Sequence, residues 1–247
     1  DFYDYDNHNR LVYAQYIAKQ LGSTDSFGLD DLDNFTSNAF VPTIINGTPY
    51  NEIVINNLVQ HNNTQIQFQY DKSGNTIVDG KYTYQWDDFD RVKSIENPII
   101  LSDWQYIEYQ YDGMGRRVKK IVDGTIGSWY LFDGSRIMEE YTISSSIVEP
   151  TLRRQMVYGA DINEPICVTD SVANKTYYLL KNDQNSVMSV YDSTDFSNKE
   201  HYEYSAYGIT LLLNASGAVK TTSGNYQVKS DLANPFGFQG MWRDEHT

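Results

Sequence analysis

The groups in this sequence that could do chemistry are its many acids, four histidines, one cysteine and a short basic run, and their spacing is the first test of function. His8, His61, His201 and His246 are scattered without HxxxH or HExxH spacing, so no helical metal pair is written into the chain. They read as solvated or turn histidines. The 33 acids could supply a carboxylate pair for glycoside hydrolysis, but no pair stands apart from the rest. Asp4-Tyr5-Asp6-Asn7 and Asp30-Asp31-Leu32-Asp33-Asn34 offer oxygen ligands for Ca²⁺. Neither has the central glycine and terminal bidentate Glu of an EF-hand loop, so both read as turn-capping acids. Gly113-Met114-Gly115 lies between strand patterns, the wrong context for a phosphate-binding loop. Cys167 is alone, which excludes an intrachain disulfide, and among Pro165, Ile166 and Val168 it reads as a small buried hydrophobe. No catalytic residue, metal site or cofactor is expected, and an enzymatic role would rest on an unseen carboxylate site.

Charge and hydropathy narrow the partners. The net charge is −14, and residues 1–60 hold eight acids against Arg10 and Lys19. Such a field repels phosphate backbones. The longest basic run, Arg116-Arg117-Val118-Lys119-Lys120, would be split between two faces on a strand, so no nucleic-acid partner is expected. The longest apolar run, Ile209 to Leu213 with Thr210 inside it, is strand length, so no membrane span is expected either. Asp1 opens without a charged-then-apolar leader, and any targeting signal is expected outside this sequence. Five triplets, beginning at Asn34, Asn46, Asn62, Asn174 and Asn214, satisfy the N-glycosylation pattern, as Asn- and Thr-rich surfaces do freely.

The elements that would position these groups are strands. Tyrosine (21) and glycine (16) are abundant while mean hydropathy is −0.55, a balance that favours sheet over helix. One short pattern recurs: an aromatic (Leu in one copy), Asp, two variable residues, Gly/Asn/Asp, then Arg/Asn. Its five copies begin at Tyr5-Asp6, Leu29-Asp30, Tyr70-Asp71, Trp86-Asp87 and Tyr111-Asp112. In a hairpin turn the Asp would accept an N–H about two residues ahead. The fifth position would need positive φ, which suits Asn9, Asp33, Gly74, Asp90 and Gly115. Asn34 and Asn75, like Arg10, Arg91 and Arg116, then hold the sixth place. Ile66, Phe68 and Tyr70 alternate with glutamines, and Tyr82, Tyr84 and Trp86 or Ile107, Tyr109 and Tyr111 repeat that period of two. Asp79-Gly80, Asp123-Gly124 and Asp133-Gly134 suit tight two-residue turns at the opposite hairpin ends. Residues 17–60 and 214–233 read as longer loops or irregular hairpins, and Leu11 to Leu21 could hold a single helical turn.

Tyr111-Asp112-Gly113-Met114-Gly115-Arg116-Arg117-Val118 resembles the RHS/YD-repeat family at every defining position of its YDxxGR repeat. Tyr130 to Arg136, Val157-Tyr158-Gly159, Tyr177-Tyr178-Leu179 and Tyr202 to Gly208 are similar to segments that follow the last good repeat in bacterial RHS proteins. Asn185 stands where glycine is usual, and Ser205 where aspartate is usual. Asn234-Pro235-Phe236-Gly237-Phe238-Gln239-Gly240 is similar to the opening of the RHS core motif. The resemblance implies one continuous all-β unit over 1–247: YD repeats over 1–143, post-repeat strands and loops over 144–233, and the start of the core motif over 234–247. It also implies a twisted antiparallel sheet of YD-repeat hairpins forming part of a hollow shell in a secreted or surface-exported bacterial protein. Its partners would be the rest of the shell and an enclosed cargo, often a C-terminal toxin released by aspartate-dependent self-cleavage. The DPxG-type segment of that cleavage does not occur in this sequence, so self-cleavage is assigned to no residue here. An adhesion or carbohydrate-binding module is the alternative, motivated by the Tyr82-Tyr84-Trp86 ladder.

Overall fold

The computed structural model describes residues 2–15, 24–26, 28–29, 35–37, 41–45, 48–55, 58–61, 64–98, 104–144, 149–161, 163–204, 208, 210–222, 225–227, 230–232 and 234–244. Between 24 and 67 it describes the backbone only. Among the described residues every strand pairing is antiparallel. Strands β1 (Phe2–Tyr5), β2 (Leu11–Gln15) and β3 (Thr24–Ser26) form one sheet, and β4 (Gly28–Leu29) pairs with β5 (Phe35–Ser37). A four-stranded meander follows: β6 (Val41–Ile45), β7 (Thr48–Ile55), β8 (Leu58–His61) and β9 (Thr64–Gln67).

The main sheet has 14 strands in strict sequence order. It runs through β10 (Gln69–Tyr70), β11 (Thr76–Val78), β12 (Thr83–Trp86), β13 (Val92–Glu96), β14 (Tyr106–Tyr111), β15 (Arg117–Val122) and β16 (Ile126–Asp133). It continues through β17 (Arg136–Ile143), β18 (Thr151–Tyr158), β19 (Pro165–Asp170), β20 (Lys175–Lys181), β21 (Val187–Asp192), β22 (Asn198–Tyr204) and β23 (Thr210–Asn214). A small hairpin, β24 (Thr221–Thr222) and β25 (Asn225–Tyr226), and a 3₁₀ turn at Phe238–Gly240 complete it.

Within 17–60, read from the sequence as longer loops or irregular hairpins, the described residues form hairpins, one with a register shift at Gly28/Leu29 and another in which Ile55 pairs with Leu58. Of Leu11 to Leu21, where the sequence allows a single helical turn as an option, Leu11–Gln15 is a strand paired with β1, and 16–21 lie outside the described residues. Asp133 is the last strand residue, paired with Arg136, so the two-residue turn there is Gly134-Ser135. Asp123-Gly124 does occupy both central turn positions, at φ 50° and 72°, with Thr125 N–H donating to Val122 O.

Alternation builds the core. Paired positions share a face. The ladder Tyr84, Ile95, Ile107, Val122 therefore lines one side of β12–β15. The same side continues through Met156, Val168 and Tyr177, and through Leu179 and Val190. These residues fall in two buried clusters, one around Ile95, Trp104, Ile107 and Tyr109, the other around Met156, Val168, Tyr202 and Phe236.

Candidate functional site

The turn series has one geometry. At Tyr111 to Arg116, Asp112 Oδ1 accepts the N–H groups of Met114 and Arg116, both at 2.9 Å, and Asp112 Oδ2 receives Arg116 Nε at 2.7 Å. Gly115 N–H donates to Asp112 O at 3.0 Å with Gly115 at φ 80°, and Tyr111 pairs with Arg117 across a bulge. Asp6, Asp71 and Asp87 repeat this, with Asn9 at φ 62°, Gly74 at 91° and Asp90 at 56°. Tyr5, Tyr70 and Trp86 close their strands across the same bulge. The copy with Asp30 and Asp33 lies outside the described residues.

The sixth position does more than the pattern disclosed. Arg10 and Arg91 bridge Asp6 and Asp87 as Arg116 bridges Asp112, while Asn75 donates to Asp71. The arginines also tie neighbouring turns on the same rim. The Arg91 guanidinium lies 4.5 Å from the Tyr111 ring centroid. Arg116 donates to Gly134 O at 2.6 Å and Arg136 to Ala160 O at 2.7 Å. Two further turns of this geometry use Asn in place of Asp. Asn182 Oδ1 accepts from Gln184 and Ser186 with Asn185 at φ 61°, and Asn214 Oδ1 accepts from Ser216 and Ala218 with Gly217 at φ 83°. A search requiring Asp passes over them, although Asn presents the same acceptor.

On the core face, the segment 230–244 crosses the strands. Ser230 Oγ and Asp231 N–H donate to the buried Glu200 on β22, which also takes Lys220 at 2.6 Å and the Tyr202 hydroxyl at 2.8 Å. Burial, and then the Glu200 charge, push the Tyr202 hydroxyl up. Asn234 donates to the Tyr202 hydroxyl, and Val187 N–H donates to Gly237 O. Phe236 meets Tyr158 edge-on, and Trp242 meets both Phe236 and Tyr130. Asp244 ends the crossing on β15, bonded to Lys120, 3.2 Å from Arg117 and 3.4 Å from the Tyr109 hydroxyl. Gly240 is required there, because a Cβ would stand 2.0 Å from Asn163 O. Beneath the segment, Glu140 and Arg154 are register partners, both under 3% exposed, and pair at 2.7 Å.

Other sequence readings change. Tyr84 and Trp86 are half-buried on the packed face, with Tyr84 bonded to Asp79 and Trp86 to Thr76 O, so that ladder is no exposed platform. The exposed aromatics on the opposite face include Tyr178 and Phe196, stacked at 6.2 Å. His201 is a sheet residue rather than a turn or solvated one, 2.8 Å from Ser189 Oγ. Cys167 is half-buried, and burial pushes its thiol up. Among the described residues no three His, Cys, Asp or Glu side chains gather as a metal site, and no helix is long and apolar enough to cross a membrane.

With turn geometry and strand order both in view, the chain resembles the RHS/YD-repeat class of β-sheet proteins in its turns and in its fold. Among solved structures similar to it, TcdB2-TccC3 without its hypervariable C-terminal region matches 98% of the chain at TM-score 0.54 and 14% identity. A TcdB2-TccC3-Cdc42 structure matches 98% at 0.52 and 15%, and the Photorhabdus luminescens Tc holotoxin pore 98% at 0.53 and 14%. The matches take up 13% to 14% of those chains and concern the fold alone. Curated relatives include the tRNA3(Ser)-specific nuclease WapA of Bacillus spizizenii and the tRNA nuclease WapA of Bacillus subtilis, each 28% identical over 173 residues. That is 70% of this chain, which spans 7% of the length of those relatives. No family model matches the chain.

Proposed function

We propose that this chain forms a stretch of wall in a hollow RHS-type shell that encloses and shields a polypeptide cargo, with no catalysis in the wall itself. The observation that carries it is the 14-stranded meander in strict order, tied along one rim from hairpin to hairpin. A sheet built this way can be extended strand by strand without a second layer to close it. The similar fold of the TccC3-containing structures supports the reading, and the secreted, bacterial setting of the proposed parent protein follows from it. The nuclease activity in the WapA names stays with those proteins.

Cryo-electron microscopy of the intact parent protein, paired with limited proteolysis of its enclosed segment, tests the proposal. A hollow particle and a cargo that is cut only after the shell is opened are expected. A solid globule, or cargo digested at the rate of the free polypeptide, would overturn it. Hydrolase activity retained by the purified chain against a broad substrate set would overturn the non-enzymatic part.

One observation favours a second reading, glycan recognition on the face away from the core. Phe196 is 69% exposed, stacks on Tyr178 and holds φ 52°, a backbone state that is costly for a bulky side chain. A glycan array with the wild type and a Phe196→Ala variant decides it. Binding that the variant loses supports the reading, and uniform silence removes it.

A further inference from the structure

The core face holds a polar cavity that neither the turns nor the wall reading uses. About 240 Å³ in volume, it lies between β15–β18 and the crossing segment at Trp242 to Asp244. Lys120, Arg153, Arg154 and Arg243 line it together with Glu140, Asp244 and the exposed Asp123.

The two inner carboxylates are already engaged. Asp244 is held by Lys120 and Arg117, and Glu140 by Arg154, Arg153 and the Ser128 hydroxyl. Arg243 lines the same cavity, no carboxylate pairs with it among the described residues, and its Nη1 is buried without a hydrogen-bond partner. A guanidinium stays charged, so an acceptor that reached it would offset the cost of that burial. Its planar donor fork matches carboxylate and phosphate oxygens. Trp242, also lining the cavity, supplies a wall whose fluorescence would report an occupant.

We propose that this cavity binds a small oxyanion, a carboxylate or a phosphate-sized group, on the Arg243 guanidinium. The proposal is independent of what the wall encloses, since it concerns a pocket formed by this chain alone.

The purified chain is titrated with sodium phosphate and, separately, sodium acetate at constant ionic strength, following tryptophan fluorescence and the melting midpoint. A saturable fluorescence change with a rising midpoint is expected, absent from Trp242→Phe in the fluorescence channel. Arg243→Gln should weaken binding at least tenfold while keeping the anion-free circular dichroism spectrum. Response to phosphate alone or acetate alone supports the site and identifies the ligand geometry. A linear, unsaturable response, or saturation unchanged in Arg243→Gln, overturns it. Should that variant fail to fold, arginine side-chain NMR of the unmodified chain gives the same reading: the Arg243 resonance moves with either anion, or the proposal fails.

Discussion

Asp112 and Gly115 show how much one turn asks of single residues. Asp112 satisfies two N–H groups and pairs with Arg116, while Gly115 supplies φ 80° with nothing nearer to an added Cβ than Arg91 Nη1 at 3.8 Å. Gly115→Val therefore meets no clash but forces a β-branched residue into the left-handed region, at a cost on the order of 1–3 kcal/mol. Thermal melting should show that loss, and wild-type melting would contradict the turn assignment. Asp112→Asn keeps the acceptor, as Asn182 and Asn214 do, but loses the ion pair, and Asp112→Ala loses both. Melting points are expected to fall in the order wild type, Asn, Ala. The turn aspartates also set an acid limit. The Arg10 N–H and then its guanidinium hold Asp6 at about 2, the Ser197 hydroxyl and N–H hold Asp195 at about 2, and Asp71, Asp87 and Asp112 are lowered by equivalent bonds. A folded pKa below the ordinary 3.8 contributes stability that is full above that value and is lost as pH falls through the folded one. Stability should thus decline between pH 4 and pH 2, and Asp112→Asn should flatten part of that decline in a pH series of melts.

At the scale of the element, the strands are held by what faces them across the ladder. Glu140 on β17 and Arg154 on β18 are opposite each other and nearly without exposure, beneath the crossing segment. Removing one charge strands the other in the interior, so Glu140→Leu should cost on the order of 3–5 kcal/mol in chemical denaturation. The double variant Glu140→Leu, Arg154→Met should regain most of that loss. A double variant no more stable than Glu140→Leu would show that the pair does not act as a unit. The β17–β18 pairing and the acid and base that meet on its inner face are given by the register of the sheet and not by alternation. Which residues pair across two strands depends on the bulge at Glu140/Tyr141, a one-residue shift that no pattern of period two specifies.

At the scale of the molecule, β10 and β23 end the strand order of the main sheet among the described residues. At the β23 end the chain folds back, with Val219 bridging Leu213 and Lys220 N–H donating to Leu212 O. The β10 end offers its two exposed residues, Gln69 and Tyr70. Exposed edges template pairing with another chain unless a charge blocks them. The purified chain is expected to self-associate with rising concentration in velocity sedimentation, and Gln69→Lys to reduce it. Monomeric behaviour at every concentration would show that the edge is not open.

The sequence by itself determined four of the turns, those of Asp6, Asp71, Asp87 and Asp112, with the strand alternation around them and hence the all-β fold, because each rests on residues at most six apart: an Asp, the N–H groups just ahead of it and a position tolerant of positive φ. Even the Asn182 and Asn214 turns were legible in principle, had Asn been allowed where Asp was sought. Only the tertiary structure decided that Asp244 reaches Lys120, that Glu200 gathers Lys220 and Ser230, and that Tyr84 and Trp86 pack inward. Those contacts join residues far apart in the chain or depend on which face of the sheet is covered. Local chemistry is blind to both, since alternation defines two faces but does not say which one the crossing segment will bury.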